Sequence, residues 1–173
     1  KKITNKTKMV SIPHVSRNNG RALTLNESKL IAGILKKRNI RYHLDGAQGP
    51  LCIPFNFHEL KCDYYSTCGH KWLLGPKGTG AFFCRKDILD QTRLSWTGSH
   101  SHLSMDQIGN YTLLPEARRF EFGTRALATF AGFDEAINWN NSIGINKILK
   151  RIDELVVFAI DDWTGRGFKV SSP

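Results

Sequence analysis

Three polar side chains in this sequence have the types and spacing to hold an electron-withdrawing cofactor. Asp45-Gly46-Ala47-Gln48 puts a carboxylate and an amide directly behind the run Ile40 to Leu44. Cys68-Gly69-His70-Lys71-Trp72 puts a lysine 26 residues beyond Asp45, just ahead of the glycine turn Gly75-Pro76-Lys77-Gly78. A lysine amine forms a Schiff base with an aldehyde, and a carboxylate keeps a pyridine nitrogen protonated so that the ring can draw in electrons. Pyridoxal phosphate is the cofactor that uses both. Each residue alone has a plainer reading: Lys71 as a surface lysine, Asp45 as a turn or helix-cap residue, Gln48 as nothing in particular. Lys71, however, lies against Trp72-Leu73-Leu74, where an unpaired ammonium is costly to bury. A lysine so placed is paired or chemically modified, and burial makes its amine nucleophilic.

The elements that must position these residues follow from periodicity. Met9 to Val15 reads as a buried strand, and Ser16 to Gly20 as a polar turn. Thr24 with Glu27 forms a capping-box pattern, and Leu30, Ile31, Ile34 and Leu35 then fall on one helical face. Ile40 to Leu44 is the next strand, Cys62 to Ser66 another, and Gly80 to Arg85 a further one, rich in aromatics. Asp87 to Leu114 is irregular and polar and reads as a long loop. Arg125 to Trp139 reads as a helix. Beyond Gly144 a second helix carries an apolar stripe including Ile145, Ile148, Ile152, Leu155 and Ala159. Phe168-Lys169-Val170 is strand-like. Strands alternating with helices predict an α/β fold with a mostly parallel sheet and flanking helices. Ligands bind beyond the carboxyl ends of such strands, where Asp45 and Lys71 both fall.

Composition narrows the class. A chain of 173 residues is enough for one domain with a real core. No run of about 18 apolar residues is present, which argues against a membrane span. Lys1-Lys2-Ile3-Thr4-Asn5-Lys6 is basic without an apolar segment behind it, so no secretory leader is expected. Cys52, Cys62, Cys68 and Cys84 form no C-x-x-C pair and are expected to be reduced. Together these point to the cytoplasm. The net charge of +10 is spread along the chain, with clusters at Lys1 to Lys8 and at Lys36-Lys37-Arg38. The second cluster falls where a helix ends and complements its dipole. With no nucleic-acid motif beside it, the charge reads as solvated surface rather than as a nucleic-acid interface.

Rival chemistries are poorly supported. His58, Cys62, Cys68 and His70 lie within 13 residues, but their spacings of three, five and one fit no common zinc pattern, so no metal is expected. His100 and His102 read as a solvent-facing loop pair. There is no G-x-S-x-G elbow, and Gly78-Thr79-Gly80 is too short for a dinucleotide fingerprint.

With these residues in view, the chain resembles the class V aminotransferase family of pyridoxal phosphate fold type I enzymes, which includes cysteine desulfurases, isopenicillin N epimerase and cystine C–S lyases. Ile3 to Lys8 followed by Pro13-His14-Val15-Ser16 resembles the family's strand ending in His-Val-Ser. Asp45-Gly46-Ala47-Gln48 resembles its cofactor-ring motif, and Gly69-His70-Lys71-Trp72 with Gly75-Pro76-Lys77-Gly78-Thr79-Gly80 its Schiff-base loop. Phe120-Glu121-Phe122-Gly123-Thr124-Arg125 resembles its Glu-x-Gly-Thr motif. The resemblance implies that Lys71 is catalytic and covalently holds the cofactor, that Asp45 pairs with the pyridine nitrogen, and that Gln48 bonds the phenolic oxygen. It implies that His70 and the residue at Cys68 meet the phosphate. Thr124 would reach the phosphate of a partner subunit, in a homodimer whose site spans the interface.

Two positions depart from the desulfurase pattern: Cys68 stands where serine is usual, and Arg17 where asparagine often follows His-Val-Ser. Arg125, in place of the usual proline, leans toward the epimerase branch. The resemblance places residues 1–164 in a partial cofactor-binding large domain and 165–173 at the start of a small domain. On that basis the sequence reads as the central part of an enzyme about twice as long, inactive alone, acting on an amino acid at Cα or Cβ. The alternative is a non-catalytic remnant of the same fold.

Overall fold

The computed structural model describes residues 2–172. Lys1, the start of the basic N-terminal cluster, and Pro173, the last residue of the expected small-domain segment, lie outside the described residues. The core of the chain is a four-stranded sheet: β1 (Met9–Pro13), β2 (Arg41–Asp45), β3 (Tyr64–Cys68) and β4 (Gly80–Cys84), in that spatial order. The first three strands are parallel and β4 returns antiparallel to β3. The sheet is thus mostly parallel, as expected. The third strand begins two residues later than its apolar pattern suggested, because the Cys62–Asp63 pair is spent on the core and on an ion pair. Asp63 accepts the Tyr42 backbone N–H at 2.8 Å and meets Arg85 at 2.8 Å.

Helix α1 (Leu25–Lys37) connects β1 to β2. It starts where a side chain can satisfy its free N–H groups: Thr24 accepts from the Glu27 N–H, and Glu27 reaches back to the Thr24 N–H at 2.9 Å. Lys36 and Lys37 sit in its last turn. Its inner face is Ser28, Ile31 and Leu35, with the Ser28 hydroxyl donating to the Leu60 carbonyl at 2.7 Å. The expected four-residue face is split: Leu30 is 66 % exposed and Ile34 46 %. They lie off the stripe that faces the sheet, because a buried serine takes the place of a third aliphatic there. Leu35, Ile40, Tyr42, Leu44, Leu60, Cys62 and Tyr65 form the core, with the short α2 (Phe57–Leu60) closing one side.

The segment expected to be a long loop is more ordered than its polarity suggested. A 3-10 turn at Lys86–Gln91 buries Ile88 and Leu89, and β5 (His102–Met105) pairs antiparallel with β6 (Tyr111–Leu113). Asp106 closes that hairpin by accepting from the backbone N–H groups of Ile108 and Asn110. Helices α3 (Leu127–Ile143) and α4 (Ile145–Gly165) are separated by Gly144, whose φ of 96° breaks the chain direction as expected. The stripe on α4 exists but is not buried; no residue of α4 is fully covered. Phe168–Val170 is not a strand. The Gly167 N–H turns back to Thr164 O at 2.9 Å and the Phe168 N–H to Trp163 O at 3.0 Å, so this backbone closes the end of α4 instead.

Candidate active site

The parallel register sets Pro13 beside Asp45 and Asp45 beside Ser66. The carboxyl ends of β1, β2 and β3 therefore lie together, and both motif loops leave the sheet at that end. The loop after β2 rests on Tyr65, which is 1 % exposed. A Cβ on Gly46 would stand 2.1 Å from the Tyr65 ring, and one on Gly49 2.3 Å from its hydroxyl, so the two glycines of Asp45–Gly49 are required by that ring. Tyr65 in turn bonds His14 Nδ1 at 3.0 Å, and the His14 backbone N–H donates to the Asp45 carbonyl at 2.8 Å. Burial pushes the His14 imidazole down to about 4, so it is neutral near pH 7.

The loop after β3 is wound on itself. The Gly69 N–H bonds Thr79 O, the Gly75 N–H bonds Gly69 O, both at 2.8 Å, and the Thr79 hydroxyl donates to Pro76 O at 2.6 Å. Helix α3 braces it. The Phe133 ring packs where a Cβ on Gly75 would come within 2.5 Å, and Asn140 Nδ2 donates to Leu73 O at 3.0 Å. Neither Phe133 nor Asn140 was singled out from the sequence. Asn140 is separated from Leu73 by 67 residues, and no local pattern marks such a partner.

Three side-chain hydrogen bonds tie the first loop to β3 and the loop after it. Thr67 Oγ1 donates to Gly46 O at 3.0 Å, the Cys68 thiol to Ala47 O at 3.7 Å, and Trp72 Nε1 to Gln48 Oε1 at 2.9 Å. Gln48 and half-buried Lys71 line one open cleft of about 510 Å³, walled by Trp72, Trp139, Ile148 and Ile152. The last two come from α4, so part of its stripe covers the lysine. Asp45 is exposed at the end of β2. Its Oδ1 accepts the Ala47 N–H at 2.9 Å; its second oxygen has no hydrogen-bond partner among the described residues. Cys68 is half-buried, with its thiol turned to Ala47, and His70 is exposed on the loop. Thr124 is not in the lysine cleft. It is exposed and lines a separate groove of about 920 Å³ with Ser66, Thr67, Phe82 and Phe120.

This donor set has a definite chemistry. A carboxylate oxygen free to accept, a side-chain amide, and an amine with no hydrogen bond or ion pair among the described residues stand on two linked loops. They suit a ring that carries a proton on nitrogen, an oxyanion and an aldehyde. Among the described residues no three His, Cys, Asp or Glu side chains gather as a metal site. Cys62, one of the four donors weighed for zinc, is in the core, where burial pushes its thiol up to about 12.

Comparison with known proteins gives a consistent result. A family model described as aminotransferase class-V matches residues 1–163. The chain is 34 % identical over 163 residues to a probable cysteine desulfurase of Halalkalibacterium halodurans, covering 93 % of this chain and 38 % of that protein. It is 29 % identical over 177 residues to the isopenicillin N epimerase of Amycolatopsis lactamdurans, covering 97 % and 43 %. Its fold is similar to that of the apo cysteine desulfurase of Thermococcus onnurineus, with a TM-score of 0.79, 24 % identity and coverage of 96 % and 40 %. It is also similar to the cystine C-S lyase C-DES solved with its product cysteine persulfide, with a TM-score of 0.71, 30 % identity and coverage of 82 % and 38 %. A C-DES mutant with glycine covalently linked to its PLP cofactor matches with a TM-score of 0.74 and 27 % identity, covering 86 % of this chain and 39 % of that one. The chain thus spans about two fifths of the length of these relatives.

Proposed function

Because this chain belongs to the class-V aminotransferase family, we propose that it forms the lysine-bearing part of a pyridoxal phosphate enzyme that acts on an amino acid at Cα or Cβ. The observation that carries this reading is the linked pair of loops: Asp45, Gln48 and Lys71 are presented from adjacent carboxyl ends of parallel strands, tied by the Trp72–Gln48 bond. When bound, the cofactor supplies an electron sink for the charge left on the substrate's α-carbon.

The residues then divide the work. The free oxygen of Asp45 holds a proton on the ring nitrogen and keeps the ring electron-poor. Gln48 donates its amide N–H to the ring oxygen. The Lys71 amine would hold the cofactor at its aldehyde carbon and, as a free amine, would take the proton from the substrate's α-carbon. His70 is assigned to the phosphate, with Cys68 beside it. Thr124 is assigned to the phosphate of a second copy, a role supported by its place in a groove apart from Lys71. The relatives' activities, desulfuration, epimerisation and C–S cleavage, all begin at the α-carbon or β-carbon and support that substrate class.

A second reading, a remnant that has lost the cofactor, is favoured by one observation: the Cys68 thiol is engaged with Ala47 O rather than turned outward. The experiment that separates the two is addition of pyridoxal phosphate to the protein. A visible absorption band that vanishes in Lys71→Ala supports the enzyme; no band in the full-length protein supports the remnant.

A further inference from the structure

Trp72 follows the lysine directly, and its indole N–H donates to Gln48 Oε1 at 2.9 Å across a sequence gap of 24 residues. An indole N–H is a donor only, whereas a side-chain amide has a donor end and an acceptor end. The bond therefore selects one of the two amide orientations. It holds the carbonyl toward Trp72 and turns the NH2 group away. That group has no hydrogen-bond partner among the described residues, although Gln48 and Trp72 both line the Lys71 cleft. Without the indole N–H, the amide is free to rotate by half a turn and present its oxygen instead. An oxygen aimed at an oxyanion repels it; an NH2 group stabilises it.

We propose that Trp72 is a positioning residue that fixes the Gln48 amide as a hydrogen-bond donor toward an anionic oxygen in the lysine cleft. This rests on the pyridoxal phosphate reading, in which that oxygen is the ring phenolate. The tryptophan links the rigid loop that carries Lys71 to the loop that carries Gln48, so one side chain sets both the separation of the loops and the polarity of the amide. Trp72 is 39 % exposed, so exchange for phenylalanine removes the N–H without opening the core.

The test has two arms. In the cofactor-free protein, the Trp72 indole resonance in a nitrogen-15 NMR spectrum should exchange slowly with solvent, and Gln48→Met should speed that exchange severalfold. An indole resonance that is the same in both proteins overturns the bond. In the protein loaded with pyridoxal phosphate, the pH midpoint of the visible band is read. Losing a donor to the oxyanion makes the cofactor's coupled oxygen and nitrogen more basic. Gln48→Met should therefore raise the midpoint by about one unit. Trp72→Phe should raise it by a smaller amount, and the double variant should match Gln48→Met alone. A native midpoint in Trp72→Phe, or additive shifts in the double variant, overturns the positioning role while leaving the cofactor reading intact. Absence of any band in the native protein removes the cofactor reading and this proposal with it.

Discussion

Tyr65 lies beneath the Asp45–Gln48 loop with its hydroxyl on His14, whose backbone N–H donates to the Asp45 carbonyl. His14 is 1 % exposed and packs edge-on against Phe55 and Tyr65. Its imidazole titrates near 6.5 when the chain is unfolded and at about 4 when folded. Between those values the unfolded chain binds a proton that the folded chain refuses, so stability rises with pH in that window. The contribution of His14 is complete above pH 6.5 and is lost as pH falls toward 4, by on the order of 3 kcal/mol. Urea melts between pH 7 and 4.5 should show this slope in the native protein and a flatter one in His14→Gln. Equal slopes would falsify the assignment. That Asp45 and Lys71 follow adjacent parallel strands was legible from their neighbours in sequence. The His14–Tyr65 pair was not, because His14 reads as one more residue of a family-like strand and its partner lies 51 residues away.

At the scale of elements, the wound loop Gly69–Thr79 and helix α3 act as one part. Gly75 lies flat against Phe133, and Asn140 holds the Leu73 carbonyl two residues past Lys71. Gly75→Ala places a methyl group 2.5 Å from a ring carbon, so either the ring or the loop must move. The expected cost is about 1–3 kcal/mol. It should appear as faster amide exchange at Gly69 and Gly75 while the amides of β2 keep their protection. Uniform loss of protection across the sheet would instead mean that the loop is not a separate unit. The elements themselves were largely readable: the Thr24–Glu27 box starts α1, and Gly144 divides α3 from α4. The split of the α1 face was not readable, because periodicity marks an apolar face without saying how wide a partner will cover it. Leu30 and Ile34 fall outside the covered width.

Across the whole molecule, the apolar surface exceeds what the sheet and its helices cover. Phe158 on α4 is 72 % exposed, and no residue of that helix is fully buried. No helix among the described residues is long and apolar enough to cross a membrane. The chain spans about two fifths of the relatives' length. Lys71 is the only cation among the described residues that line its cleft, so no second cation there pairs with a substrate carboxylate once the lysine is engaged. The 173 residues by themselves are therefore expected to turn over neither cysteine nor cystine in the presence of pyridoxal phosphate, in an assay for released sulfide. Sulfide release dependent on Lys71 would contradict this.

What the sequence determined by itself was local: which segments form the four strands of the sheet and the helices α1, α3 and α4, and which short motifs stand at strand ends. Such features depend on residues a few positions apart, whose spacing the chain fixes directly. The tertiary structure decided what depends on distant partners. It set the reversed sense of β4 and the Tyr65 ring that makes Gly46 and Gly49 necessary. It also set the brace of Phe133 and Asn140, and the indole bond that gives the Gln48 amide one orientation. These contacts join residues 12 to 67 positions apart. Their geometry comes from strand register and packing, which no periodicity in the sequence encodes.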